Sequence, residues 1–127
     1  MRRALVAVPL VALGLAGCAP VPAETTDDPN TIGMEELVFD TDTHRVPVGG
    51  RITFSNASSR ALHVLVPGDK AQPRSQPGVP SFGGASGHRA EVGERWTTPP
   101  WNVAGTYQVT CTLHPRMNLQ VVVGGGV

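Results

Sequence analysis

The stretch Gly-Thr-Tyr-Gln-Val-Thr-Cys-Thr-Leu-His-Pro-Arg-Met, from Gly105 to Met117, is the most informative part of the 127-residue sequence. Its first part, Gly105–Thr110, predicts a strand that leads directly into Cys111. A second strand is predicted at Leu119–Val123, just before a run of glycines. The sequence therefore predicts two neighbouring strands joined by a short segment that carries a Cys, a His and a Met.

Short apolar runs broken by turn residues fill the chain from Glu36 onward. Further strands are predicted at Leu37–Phe39, Arg45–Val48, Arg51–Asn56, Leu62–Val66, Arg89–Val92 and Arg95–Thr97. The 15 glycines and 12 prolines favour turns over long helices, and the stretch 67–87 is interpreted as a long loop. We therefore predict an all-β fold in one domain, a sandwich or barrel of about seven or eight strands.

The donor atoms of Cys111, His114 and Met117 are a thiolate, an imidazole and a thioether. Two His, one Cys and a weak axial Met form the ligand set of blue copper sites. His63, in the apolar run Leu62–Val66, supplies the second imidazole. A lone His in such a strand would ordinarily be a hydrogen-bonded core residue. Beside a Cys-x-x-His-x-x-Met motif, we interpret it as a ligand.

Other functions fit the residues less well. A structural zinc site needs four Cys, His or carboxylate ligands, and the remaining imidazoles, His44 and His88, are interpreted as surface residues. Ten basic and ten acidic side chains leave no basic stripe for nucleic acid. No paired carboxylates or Ser, His and Asp grouping indicate catalysis, so we expect no enzyme.

These residues resemble the cupredoxin family, and among its members the amicyanin and plastocyanin branch. The resemblance covers Glu36–Val123, and it is carried by Val48–Asn56, His63, Ala104–Met117 and Val121–Val123. It implies a Greek-key β-sandwich that holds one type 1 copper ion and carries single electrons as Cu(I) and Cu(II). The short spacing between His114 and Met117 is similar to that of amicyanin.

Two residues depart from the family pattern and are predicted to tune the site from outside the ligand set. Val64 stands where many members have an Asn that ties the ligand loops together, although its backbone N–H can still reach the Cys111 sulfur. Leu113 stands where related loops often have Pro. We predict that the Leu113 N–H donates to the Cys111 thiolate and raises the reduction potential, so that Leu113→Pro would lower it.

The resemblance also implies an electron exit at His114, within an apolar patch of Leu113, His114 and Pro115. Arg116 adds a positive charge, which favours a redox protein partner with an acidic docking face. The donor and acceptor are not identified by the sequence, and we expect a monomer. The alternative function is a copper carrier or scavenger, which shares the ligands but has to release the metal.

The beginning of the chain predicts export. Residues 1–17 combine two arginines with a short apolar run, as a signal peptide does. Leu-Ala-Gly-Cys at 15–18 resembles a bacterial lipobox, so Cys18 is predicted to be lipidated and to anchor the protein at the extracytoplasmic side of the membrane. Residues 18–33 are predicted to be a flexible tether, and 34–127 the folded domain.

Overall fold

A computed structural model describes residues 29–84 and 86–124, which fold into two β-sheets. The strands are β1 (Thr31–Met34), β2 (Thr43–Val46), β3 (Thr53–Asn56), β4 (His63–Asp69), β5 (Gln72–Pro73), β6 (His88–Ala90), β7 (Arg95–Thr97), β8 (Gly105–Cys111) and β9 (His114–Val123). Within those ranges there is no helix of the length and apolarity that crossing a membrane requires. The all-β prediction is confirmed, with nine strands in the described residues instead of about seven or eight.

The two sheets differ in size and in how their strands pair. One sheet has the order β1-β3-β7, with β1 parallel to β3 and β7 antiparallel to it. The other has the order β2-β9-β8-β4-β5, and β6 also pairs with β4. In this larger sheet β2 runs parallel to β9, while β8 is antiparallel to both β9 and β4. The three longest strands, β9, β8 and β4, lie side by side in the middle of the larger sheet.

Alternation of side chains along β8 and β9 builds the core. Tyr107, Val109 and Cys111 point inward from β8, and alternate residues of β9 from Met117 to Val123 are also buried. Trp101 and Phe54 are fully buried with them. Cys111 and Met117 thus lie on the inner face, at the end of the sheet where β8 stops and β9 starts.

The first strand begins earlier than the sequence predicted. Thr31–Met34 forms β1, so the last residues of the predicted tether 18–33 belong to the sheet, and Ile32 is fully buried. The strand predicted at Leu37–Phe39 is not formed, because a turn closed by the Glu35 N–H and the Val38 carbonyl at 2.9 Å occupies this segment. The signal peptide at 1–17, Cys18 and the tether as far as residue 28 lie outside the described residues.

The predicted loop 67–87 contains a hairpin. Strand β4 continues through Pro67 to Asp69 and turns back into β5 through Lys70 and Ala71. These two turn residues have φ values of 49° and 63°, the left-handed conformation of a tight two-residue hairpin that usually favours Gly and Asn. For other residues this conformation costs about 1–2 kcal/mol each, so other contacts have to hold the turn.

Gly87 offers a test of the packing behind β4. Gly84 and Gly87 both have left-handed φ values, 93° and 78°. A Cβ on Gly84 would meet open space, whereas a Cβ on Gly87 would collide with the Leu65 carbonyl and the Val66 side chain. We expect Gly84→Ala to lower the free energy of unfolding by about 1 kcal/mol from backbone strain. Gly87→Ala should lower it by roughly 3 kcal/mol, since a steric clash is added.

Denaturant unfolding of the two variants measures this difference directly. Both substitutions add the same methyl group in a similar backbone conformation, so Gly84→Ala is the control for strain alone. Equal losses in the two variants would contradict the close packing of Gly87 on β4.

Candidate metal centre

Three of the predicted ligands lie at one end of the larger sheet because of strand pairing. His63 is the first residue of β4, Cys111 the last of β8 and His114 the first of β9. Antiparallel pairing sets Leu65 opposite Cys111 and Cys111 opposite His114. All three predicted ligands therefore lie at the same end of the sheet. The Cys-x-x-His spacing leaves two residues between the ligands, which form the turn from β8 to β9.

The three donor atoms form a compact triangle. The Cys111 Sγ lies 3.8 Å from the His63 Nδ1 and 3.4 Å from the His114 Nδ1, and the two nitrogens are 3.2 Å apart. A circle through the three atoms has a radius of about 2.0 Å, close to the roughly 2.0–2.3 Å between a first-row ion such as zinc and nitrogen or thiolate donors. The triangle therefore has the size that one metal ion at its centre requires.

His63 is oriented by a hydrogen bond on the far side of its ring. Its Nε2–H donates to the Glu35 carbonyl at 2.8 Å, which leaves the Nδ1 lone pair directed at the cluster. Burial lowers the pKa of His63 because the imidazolium loses solvation, and nearby His114 lowers it further, although the Glu35 carbonyl opposes the shift. The ring is therefore a neutral donor at neutral pH, as a metal ligand has to be.

Cys111 is a buried free thiol whose sulfur accepts a backbone hydrogen bond. The Val64 N–H lies 3.4 Å from the Sγ and donates to it, and the Thr112 N–H donates to the Val64 carbonyl at 2.9 Å. These two bonds join β4 to the end of β8 and to the turn of Thr112 and Leu113 that follows it. Among the described backbone amides Val64 is the donor to this sulfur, and the bond predicted from the Leu113 N–H is not formed. The structure therefore gives no reason to expect that Leu113→Pro lowers the reduction potential.

Met117 lies on the buried face of β9, three positions after His114. Its side chain is fully buried, and its carbonyl lies 3.1 Å from the Thr110 hydroxyl. Alternation explains this placement, since Leu119 and Val121 follow it on the same inward face. Coordination through its thioether stays a prediction.

The predicted apolar patch gains a residue that the sequence interpretation missed. Leu37 lines a shallow surface pocket together with Leu113, His114, Pro115 and Arg116. Leu37 is 60% exposed and Leu113 50% exposed, while His114 is half-buried. The sequence predicts Leu37 within a strand. The one sequence feature that could have pointed to an exposed position is that the apolar pair Leu37 and Val38 directly follows two glutamates.

The other two imidazoles lie outside the cluster. In the described residues the group of potential metal-binding side chains contains His63, Cys111 and His114. The sequence interpretation of His44 and His88 as surface residues was too simple, because both are half-buried. The His88 ring stacks on Trp96 with centroids 4.1 Å apart and bonds to Glu94 at 2.9 Å, so packing and pairing account for it.

Two β-sheets packed face to face, with a Cys and two His at one end, define the cupredoxin fold, and the chain has this fold. The solved structures it is similar to include a Cu(I) form of an amicyanin point mutant, with 22% identity and a TM-score of 0.58, covering 80% of this chain and 87% of that one. No protein-family model matches the sequence, and no curated protein matches it.

Two further similar structures come from different organisms. Reduced auracyanin from the photosynthetic bacterium Roseiflexus castenholzii is 22% identical with a TM-score of 0.52, over 74% of this chain and 94% of that one. A purple cupredoxin from Nitrosopumilus maritimus is 19% identical with a TM-score of 0.57, over 74% and 98% of the two chains. At these identities the likeness concerns the fold.

Glu36 fixes the loop that orients His63, which leads to a prediction about acid stability. Its carboxylate accepts hydrogen bonds from the Ser59 hydroxyl and the Ser59 N–H, both at 2.6 Å. The side-chain bond and then the backbone bond lower the pKa of Glu36 below its ordinary 4.5. A pKa lowered on folding stabilises the protein above the ordinary value, and this contribution is lost as the pH falls through the lowered one.

We therefore expect Glu36→Gln to flatten the loss of stability with falling pH below about 4.5. Ser59→Ala removes the hydroxyl and keeps the backbone N–H, so its effect should be intermediate. Denaturant unfolding at several pH values checks both variants. If the free energy of unfolding of Glu36→Gln falls with pH below about 4.5 as steeply as that of the wild type, Glu36 makes no contribution to acid stability.

Proposed function

We propose that the protein is a type 1 blue copper protein that carries single electrons between redox partners. Its copper ion is held by His63, Cys111, His114 and Met117. The observation that carries this proposal is the convergence of two imidazole nitrogens and one buried thiol sulfur in a triangle of metal-binding size. A soft thiolate with two imidazoles and a nearby thioether suits both oxidation states of copper.

The chain's own contribution is a rigid and dry site. His63, Cys111 and Met117 are fully buried, so water is kept away from three of the four proposed ligands. The Val64 N–H stabilises negative charge on the Cys111 sulfur, and the Glu35 carbonyl holds the His63 ring. When bound, copper supplies the one-electron redox change. A site whose ligands are already held in place needs little reorganisation when the charge changes.

The alternative is a copper carrier or scavenger that releases its metal. The burial of three proposed ligands favours retention, because a partner can approach only the half-buried His114. Zinc is a less suitable occupant, since a thioether is a poor fourth ligand for it. We propose no catalytic role, because electron transfer accounts for the side chains that converge here.

Copper loading of the mature domain tests this proposal. We expect an intense blue absorption from thiolate-to-copper charge transfer and reversible reduction with the metal retained against a modest chelator. Cys111→Ser should abolish the absorption, whereas Met117→Leu should keep it and shift the potential upward, because a weak axial donor is lost. His88→Gln serves as a control outside the cluster. Ready loss of copper to the chelator would favour the carrier instead.

We further propose that electrons leave through the His114 edge and that Leu37, Leu113 and Pro115 surround the docking position. These side chains line one pocket, and Arg116 at its rim adds positive charge. A redox protein with an acidic docking face is the partner that this surface favours. Both the docking partner and a monomeric state are proposals.

Charge reversal at Arg116 tests the electrostatic part. We expect Arg116→Glu to slow oxidation by anionic ferricyanide several-fold at low salt and to speed oxidation by a cationic cobalt complex, with both effects fading as salt is added. Arg45→Glu on β2 makes the same charge change outside the pocket and should have a smaller effect. Equal rates in the two variants at every ionic strength would contradict a charged rim at the electron exit. Stopped-flow kinetics give these rates.

The location is also a proposal. An export signal at 1–17 and lipidation of Cys18 would hold the domain at the outer face of the cell membrane. The residues from 18 to β1 would then connect the anchor to the domain. What supports this is the sequence pattern alone.

A further inference from the structure

The strained hairpin turn of Lys70 and Ala71 directs both of its backbone N–H groups toward β8 and β9, the strands that carry the other proposed ligands. The Lys70 N–H donates to the Asn118 Oδ1 at 2.8 Å, and the Ala71 N–H donates to the Thr110 hydroxyl oxygen at 2.9 Å. Neither turn residue is a Gly or an Asn, although both have positive φ. A turn in this conformation persists only when its surroundings determine it, and these two bonds are its attachment to β8 and β9.

Both the oxygen and the nitrogen of the Asn118 side-chain amide form hydrogen bonds. Its Oδ1 accepts from the Lys70 N–H and from the Thr110 hydroxyl, each at 2.8 Å. Its Nδ2–H donates to the Pro115 carbonyl at 2.8 Å. Since Lys70 presents a backbone donor, the oxygen has to face the turn, and the nitrogen has to face Pro115. The hydrogen-bond pattern therefore fixes the orientation of the amide.

Thr110 and Asn118 stand at the two ends of the ligand segment. Thr110 directly precedes Cys111, and Asn118 directly follows Met117. The two residues are register partners across β8 and β9, beside the irregularity in pairing between 110 and 111. Their mutual hydrogen bond therefore closes the base of the segment 111–117, and the bond to Pro115 reaches into it.

We propose that Asn118, held by the Lys70 and Ala71 turn, is the positioning residue that fixes the path of the chain between His114 and Met117. A side-chain amide is absent at Val64, where it would tie the ligand loops from the β4 side. Asn118 supplies an amide from the opposite side of the segment. The consequence for the copper spectrum rests on the proposed function, but the consequence for the order of residues 115–117 does not.

The first test uses the copper-free protein and backbone amide relaxation of Arg116 and Met117. In the wild type we expect order parameters near the rigid value of about 0.85, and in Asn118→Ala a fall to below about 0.6. Gln120→Ala is the control, because Gln120 lies two residues further along the same half-buried face of β9. Equal order at Arg116 and Met117 in the two variants would overturn the proposal.

A second variant separates the two ends of the amide. Asn118→Asp keeps oxygen acceptors for the Lys70 N–H and the Thr110 hydroxyl but removes the donor to the Pro115 carbonyl. We expect the segment to loosen as in Asn118→Ala while the Lys70 amide stays ordered. A segment as rigid as in the wild type would show that the bond to Pro115 does not hold it. This variant keeps the proposal testable if Asn118→Ala fails to fold.

The copper-loaded protein provides the third readout. We expect Asn118→Ala to change the copper hyperfine splitting in the paramagnetic resonance spectrum and to shift the reduction potential. Gln120→Ala and Ala71→Gly, which retains its N–H, should change neither. A spectrum and potential that match the wild type would overturn the positioning role. If the wild type itself shows no blue copper spectrum, the proposed function fails, and the relaxation result still decides the role of Asn118.

Discussion

The antiparallel pairing of β8 with both β4 and β9 is the constraint on which the rest of the site depends. It sets Cys111 opposite Leu65 on one side and opposite His114 on the other. A slip of one residue in either pairing would turn Cys111 from the buried face to the other face of the sheet. The buried alternation of β8 and β9 opposes such a slip, because it would expose residues such as Val109 and Leu119. The same apolar pattern that builds the core therefore also holds the donor atoms together.

The His63 imidazole and the Cys111 thiol are buried at the end of that core, so each requires a hydrogen-bond partner. A buried imidazole or thiol without partners would be costly, and here each has a backbone contact. The Glu35 carbonyl accepts from His63, and the Val64 N–H donates to Cys111. Both partners are main-chain groups, so neither depends on a particular side chain at 35 or 64, provided that residue 64 is not proline. The departure at Val64 consequently removes an amide side chain without removing the hydrogen bond to the sulfur.

The residues that the structure brings together could be predicted from residue types, whereas most of the groups that hold them could not. Cys-x-x-His-x-x-Met is a local pattern, and an imidazole in a strand is conspicuous, so His63, Cys111 and His114 could be predicted to form one cluster without coordinates. Strand β1 was missed because its pairing with β3 is parallel and distant in sequence, which leaves no hairpin signal near Ile32. The prediction that the Val64 N–H reaches the Cys111 sulfur is confirmed. The bond predicted from the Leu113 N–H is not formed, because the direction of that N–H depends on the conformation of the turn.

The segment that follows β1 connects the interior of the site to its surface. Glu35 orients His63, Glu36 is held by Ser59, and Leu37 lies in the apolar pocket beside His114. These three residues are consecutive, so a displacement of Leu37 acts on the His63 hydrogen bond through only two peptide units. The opposite flank is supported differently, since Asn118 and Thr110 hold the segment between His114 and Met117 from the side of the Lys70 turn. The two imidazoles are therefore supported by separate parts of the chain, and a partner that presses on Leu37 would perturb His63 more directly than it would perturb the path of the chain that carries Met117.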